Sequence, residues 1–198
     1  MKIIDKRFDA KTLNIIEGLV GKTLRCIKSD PFVFSPMVYG IVGVYIDSDI
    51  YALTNFVDVL DYYGTDEDVA VFRFEQAEPT DVHSYSDADE WLETPVNEKI
   101  TAIRVVNETQ QLFHRDEQIY EVYTVRGLIF QLESGREISF EKAVWFSEMI
   151  TIMRGYELIG KFTPTDDFLE GWEDSPEYTP KCFREITTYG KWIGSNSE

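Results

Sequence analysis

Residues 38–55 read VYGIVGVYIDSDIYALTN, and this stretch decides the fold. Val, Ile and Tyr crowd both of its runs, 38–46 and 50–55, and such side chains suit a pleated, half-buried surface. Between the runs lies Asp47-Ser48-Asp49, whose short polar side chains favour a turn. The reading is a β-hairpin.

Working outward, the N-terminal side begins with a helix. Asp9 caps it, Leu13, Ile16 and Val20 share one face, and Gly21 is placed to end it in the left-handed region. Residues 22–28 then read as a strand, stopped by Asp30-Pro31. On the other side, Asn55 stands where it can cap a short helix through Leu60. Asp58 would sit at its third position, beside the positive end, and Gly64 would close it. Residues 69–74 alternate as a strand does. Further strands are expected at 100–106, 119–126, 128–132, 138–140, 149–153 and 158–162, with Ser134-Gly135-Arg136 as a hairpin loop. The tail from Thr163 carries Phe168, Trp172, Tyr178, Phe183, Tyr189 and Trp192. It is expected to lie across the core surface, held by its rings. The fold class is α+β, mainly antiparallel β with a few short helices.

Residues 1–198 are expected to make one compact unit with halves 1–77 and 98–198. An acidic, proline-containing segment, 78–97, joins them. It is expected to be exposed, with Ser86 or Asp87 starting a short helix that carries Trp91 and Leu92. There is an internal echo. Val44-Tyr45-Ile46-Asp47-Ser48, followed by Leu53, Val57 and Asp61, resembles Phe130-Gln131-Leu132-Glu133-Ser134, followed by Phe140, Val144 and Glu148. The echo reads either as duplication of a β-hairpin unit or as the general likeness of amphipathic hairpins.

The chain is acidic, with 36 Asp and Glu against 19 Lys and Arg and a formal net charge of −17. The excess is local. Residues 58–98 hold 13 acids and one base, Arg73, and residues 165–178 hold six acids and no base. The remainder is nearly neutral. Local charge of one sign selects partners of the other. It weighs against binding to a phosphate backbone or an anionic membrane, both of which need Lys and Arg. No apolar run is long enough to span a bilayer or follows the N-terminal charges as a leader would, so a cytoplasmic protein is expected.

Motifs for chemistry are weak. Gly21-Lys22-Thr23 suggests a phosphate loop, but Ile16 stands where that loop needs glycine, and a helix precedes it instead of a strand. It reads as a helix stop and a strand start. Cys26 lies in an apolar strand pattern and is expected to be reduced, buried and inert. Neither Cys182 nor His83 and His114 supply a local nucleophile–base signature. Asp47-x-Asp49, Asp66-Glu67-Asp68 and Asp87-x-Asp89-Glu90 offer oxygen ligands, yet none continues as a calcium loop. No cofactor motif is present, and among 36 acids the spacing selects no catalytic carboxylate pair.

The acids and their interleaved rings remain. Asp66, Glu67, Asp68, Asp87, Asp89 and Glu90, with Tyr63 or Trp91 as anchor, form the candidate binding set. Carboxylates steer a basic partner, and Tyr and Trp anchor interfaces. A non-enzymatic protein-interaction module is the first expectation. Its sharpest form is an inhibitor or immunity-type protein for a basic target. The alternatives are a carboxylate- or metal-dependent enzyme, and a small-ligand-binding or structural protein.

Overall fold

A computed structural model describes residues 1–84, 91–142 and 147–194. The described residues are mostly antiparallel β-sheet with two short helices. In order it forms β1 (Lys2–Lys6), α1 (Ala10–Gly18), β2 (Thr23–Ser29), β3 (Met37–Tyr39), β4 (Ile41–Ile46), β5 (Asp49–Tyr62) and β6 (Thr65–Ala77). There follow β7 (Leu92–His114), β8 (Glu117–Leu132), β9 (Glu137–Lys142), β10 (Met149–Gly155), a 3₁₀ turn (Leu158–Lys161), α2 (Asp166–Glu170) and β11 (Tyr178–Gly190).

Strand pairing closes a ring. β4 pairs with β2, β2 with β7, β7 with β8, β8 with β9, β9 with β10, and β10 with β3. β3 runs directly into β4 through Gly40, so the last pairing returns to the first. Gly40 makes this bend with φ 62°, where a side chain is strained. At the bend β10 takes over from β5. Asn55 N–H donates to Gly40 O, and Gly40 N–H donates to Glu148 O. Within the ring, closure removes the edges that an open sheet would leave; β6 and β11 lie outside it.

Cross-strand rows of apolar side chains fill the ring. Leu128, Phe140 and Ile152 lie opposite one another in turn, as do Ile103, Phe130 and Ile138. With Leu24, Val42, Val44, Ile100 and Ile150 they belong to one core, which Ile16 and Leu19 of α1 join. Asp9 caps α1 by accepting from Thr12 N–H at 2.7 Å, as its sequence position implies. Gly21 follows with φ 87°, then β2 begins, so Gly21-Lys22-Thr23 is a turn into a strand.

Two long hairpins extend beyond the ring. The distal part of β7–β8 gains β11 beside β7 and, in parallel, β1 beside β8. The distal part of β5–β6 folds over this extension. Tyr62 and Val69 meet Val122 there, with Ile4, Leu60 and Tyr63 at the margin.

Three expectations are corrected. Residues 55–60 are strand, not helix. Phe56, Val57, Val59 and Leu60 find an antiparallel partner in β6, and cross-strand packing overrides the capping pattern. Asn55 caps nothing; its buried amide donates to Ser147 O and Met149 O, both at 3.0 Å. Residues 158–162 are not a strand: Leu158–Lys161 form a 3₁₀ turn, which Glu157 enters in the left-handed region, and Leu158 N–H donates to Glu137 Oε2 at 2.8 Å. The tail does more than lie on the surface, since β11 is a 13-residue strand.

Segment 78–97 divides. Val82 and Ser84 are buried. Leu92 opens β7, and residues 92–95 pair with β2 before a register shift. Residues 85–90, including the expected helix start, lie outside the described residues. Both stretches of the internal echo are hairpins, β4–β5 and β8–β9. Val144 of the second stretch also lies outside the described residues.

Both cysteines are free. Cys26 is buried in β2, and burial pushes its thiol up. Cys182 is half-buried, and burial followed by the nearby Glu108 carboxylate pushes it up to about 12. Thiolate is the reactive form. Both should therefore resist a disulfide reagent in the native protein at neutral pH and react on unfolding in urea. Rapid native labelling of Cys26 would contradict its place in the core.

Candidate functional site

The turn joining β5 to β6 creates the site. Tyr62 faces Thr65 across the hairpin, leaving Tyr63 and Gly64 as a two-residue loop. Their φ angles are 54° and 96°. Positive φ at both positions is the type I′ geometry that matches strand twist. Gly64 adopts it freely, whereas a tyrosine there is uncommon. Ring packing compensates for it. Tyr63 lies against Tyr62 at 4.3 Å between centroids, Trp172 at 5.2 Å, Tyr120 at 5.3 Å and Phe168 at 5.8 Å.

Phe168 and Trp172 come from the second acidic stretch. α2 is a single turn, with Asp166 and Asp167 at its positive end. Phe168 is its buried residue. Trp172 closes the following turn by donating its N–H to Leu169 O, and its ring meets Tyr178 at 5.5 Å. Between hairpin and tail lies a cleft of about 400 Å³, lined by Tyr62, Tyr63, Thr65, Glu67, Phe168, Gly171 and Trp172. Its floor is pinned from beneath. The Tyr62 hydroxyl donates to buried Gln110 Oε1 at 2.6 Å, and burial pushes both tyrosine hydroxyls up, keeping them protonated.

Strand alternation separates the three acids of β6. Glu67 shares a face with Thr65 and Val69 and lines the cleft, accepting from the Thr65 hydroxyl at 2.9 Å. Asp66 and Asp68 are exposed on the opposite face. Two acids on the β5 side of the hairpin are already paired. Asp58 meets Arg73 Nη2 at 2.7 Å and Lys6 Nζ at 3.4 Å, and Asp61 pairs with Lys2. Among the described residues no ion pair reaches Asp66, Glu67 or Asp68. The same holds for the exposed Asp166, Asp167, Glu170, Glu173, Asp174 and Glu177.

Trp91 is half-buried just before β7. Gln110, beneath Tyr62, lies near the other end of that 23-residue strand, so Trp91 is not brought to Tyr63. Asp87, Asp89 and Glu90 lie outside the described residues. Phe168, Trp172 and Gln110 fall outside the binding set expected from the sequence, although the first two are among the rings named in the tail. The first two were legible as rings amid acids; Gln110 had no local signal.

A larger cleft, about 500 Å³, lies between β1, α1, β7 and β11, with Asp5, Arg7, Asn107, Glu185 and Tyr189 on its walls. Its strongest charges satisfy each other. Arg7 Nε donates to Asp5 Oδ1 at 3.0 Å, and this hydrogen bond holds the Asp5 carboxyl below its usual range. The Arg7 guanidinium also lies over the Tyr123 ring. No cluster of three or more His, Cys, Asp or Glu suited to a metal occurs among the described residues.

No protein-family model, curated protein or solved structure matches this chain.

Proposed function

We propose that the protein is a non-enzymatic interaction module that engages a basic protein through the β5–β6 turn and the α2 segment. One observation supports the reading. Two acidic stretches far apart in sequence supply the two walls of one aromatic cleft, with Glu67 and Tyr63 on one side and Phe168 and Trp172 on the other. Ring faces attract a Lys or Arg head group, and partial desolvation strengthens that attraction. The surrounding carboxylates raise the encounter rate with a positively charged surface. A basic side chain of the partner enters the cleft beside Glu67, the α2 acids form the rim, and Asp66 and Asp68, on the opposite face of β6, add to the field that draws the partner in. An inhibitor or immunity-type role towards a basic toxin or nuclease is the most specific form of this reading. The cleft volume also falls within the range of small-molecule sites, which favours small-ligand binding as the second reading.

The test uses a lysine- and arginine-rich peptide, with a glutamate-rich peptide of equal length as control. Binding of the basic peptide alone is expected, weakening as salt rises. Asp66→Asn/Glu67→Gln/Asp68→Asn should slow association and flatten the salt response. Trp172→Ala should chiefly speed dissociation, roughly tenfold or more for a buried aromatic anchor. Folding of each variant is checked by its urea midpoint. Unchanged rates and salt response in both folded variants would sink the proposal. Binding of a small quaternary ammonium, with no preference for the basic peptide, would favour the second reading.

A further inference from the structure

β11 carries an exposed edge with a self-complementary sequence. Among the described residues β11 pairs with β7 alone. Just past its end, Lys191 N–H donates to Thr101 O, the residue next in the ladder after Gly190 opposite Ala102. Antiparallel bonding alternates, so odd-numbered residues of β11 turn their backbone groups towards β7 and even-numbered ones turn theirs outward. This accounts for Pro180 inside the strand. Its missing N–H falls on the outer edge, where the β7 ladder loses nothing.

The strand is net positive and carries exposed apolar side chains. In a chain of net charge −17, residues 178–191 hold three bases, Lys181, Arg184 and Lys191, and one acid, Glu185. Phe183 is 53 % exposed and Ile186 is 42 % exposed. Exposed apolar residues on an unpaired strand are the usual template for adding another strand.

We infer that β11 pairs antiparallel with β11 of a second copy of this chain, about a two-fold axis at Phe183. In this register each Lys181 faces the other copy's Glu185, and the reverse, while Phe183 faces its own symmetry mate. Pro180 lies opposite Ile186. Cys182 and Arg184, both with outward backbone groups, exchange N–H and C=O across the axis. Shifting the register by two residues in one direction sets Arg184 against Arg184, and in the other sets Lys181 against Phe183. Charge complementarity therefore selects the stated register. A two-fold interface must be self-complementary in this way.

Sedimentation of the full chain over a range of concentrations tests the inference, and a mass rising to that of two copies is expected. Ile186→Pro removes an outward donor while sparing the β7 ladder, and should weaken association. Lys181→Glu sets Glu against Glu twice and should weaken it about tenfold. Lys181→Glu/Glu185→Lys should restore it. Phe183→Cys with Cys182→Ser should form an intermolecular disulfide on mild oxidation, because facing residues of a non-hydrogen-bonded pair approach within disulfide range. Unchanged far-ultraviolet circular dichroism confirms that each variant is folded. A monomer at every concentration overturns the inference. So does a dimer that the double charge swap fails to rescue, or one that does not cross-link through Phe183→Cys.

Discussion

Glu141→Ala should lower the unfolding free energy by about 3–5 kcal/mol, the cost of removing one partner from a buried ion pair. Glu141 is 3 % exposed. It accepts from Arg126 Nε at 3.0 Å and from Thr163 N–H at 2.8 Å, so one carboxylate holds β8, β9 and the start of the tail together. On the other side Glu108 lies 4.0 Å from Arg126 and bonds to Arg184, whose guanidinium also donates to Thr163 O at 2.7 Å. Without Glu141, buried Arg126 would keep only its longer contact to Glu108, and the Thr163 amide would lose its acceptor. Urea denaturation measures the loss. The double variant Arg126→Met/Glu141→Leu should be less destabilised than Glu141→Ala, because it leaves no uncompensated charge. A single-variant loss below about 1 kcal/mol, the scale of a surface pair, would show that the network does not hold the tail.

Lys142, the neighbour of Glu141, should make stability rise with pH in the alkaline range. It is 2 % exposed, and its Nζ donates to Ala70 O and the Thr124 hydroxyl, both at 3.2 Å. Burial pushes its ammonium down to about 8; Arg126 adds to this and Glu108 opposes it. In the unfolded chain the same group titrates near 10.5. Between these values the unfolded state binds more protons than the folded one, so the free energy of unfolding increases with pH. Below about 8 the amine is charged in both states and the full burial cost remains. The stability difference, wild type minus Lys142→Met, should therefore rise from about pH 8 towards 10.5, by on the order of 3 kcal/mol. Taking the difference cancels other titrations, including those of Tyr62 and Tyr63, which act in the opposite sense at high pH. A difference that is flat or falls over this interval would contradict a charged, buried Lys142.

Local pattern was a good guide wherever neighbours in sequence decide structure. Asp9 and the Leu13, Ile16 spacing identify α1, and Asp47-Ser48-Asp49 and Ser134-Gly135-Arg136 mark turns where the structure has them. Pattern misled at Asn55, where a cap-like residue precedes β-forming side chains. It also passed over charges in apparently ordinary places. Glu137, Ser139 and Glu141 alternate with Ile138 and Phe140 as an outward face should, yet all are buried. The 3₁₀ turn and Thr163 cover that face, and no signal in β9 foretells a cover supplied from further along the chain.

The candidate site divides in the same way. Tyr63 and the acids Asp66, Glu67 and Asp68 could be singled out from composition, because charge and aromaticity belong to residues. Their separation into a cleft-lining Glu67 and outward Asp66 and Asp68 follows from β pairing that the helical reading of the preceding residues had hidden. Phe168 and Trp172 enter the site through the path of the tail. What the sequence determined alone was a mainly antiparallel β chain, its first helix, the turns at Asp47-Ser48 and Ser134-Gly135 and the two acidic stretches, since each depends on short-range pattern or summed charge. Only the tertiary structure decided that the strands close through Gly40, that the acidic stretches meet across one cleft, and that Glu141 and Lys142 are buried. These follow from contacts between distant residues, whose partners are chosen by burial and register across the whole fold.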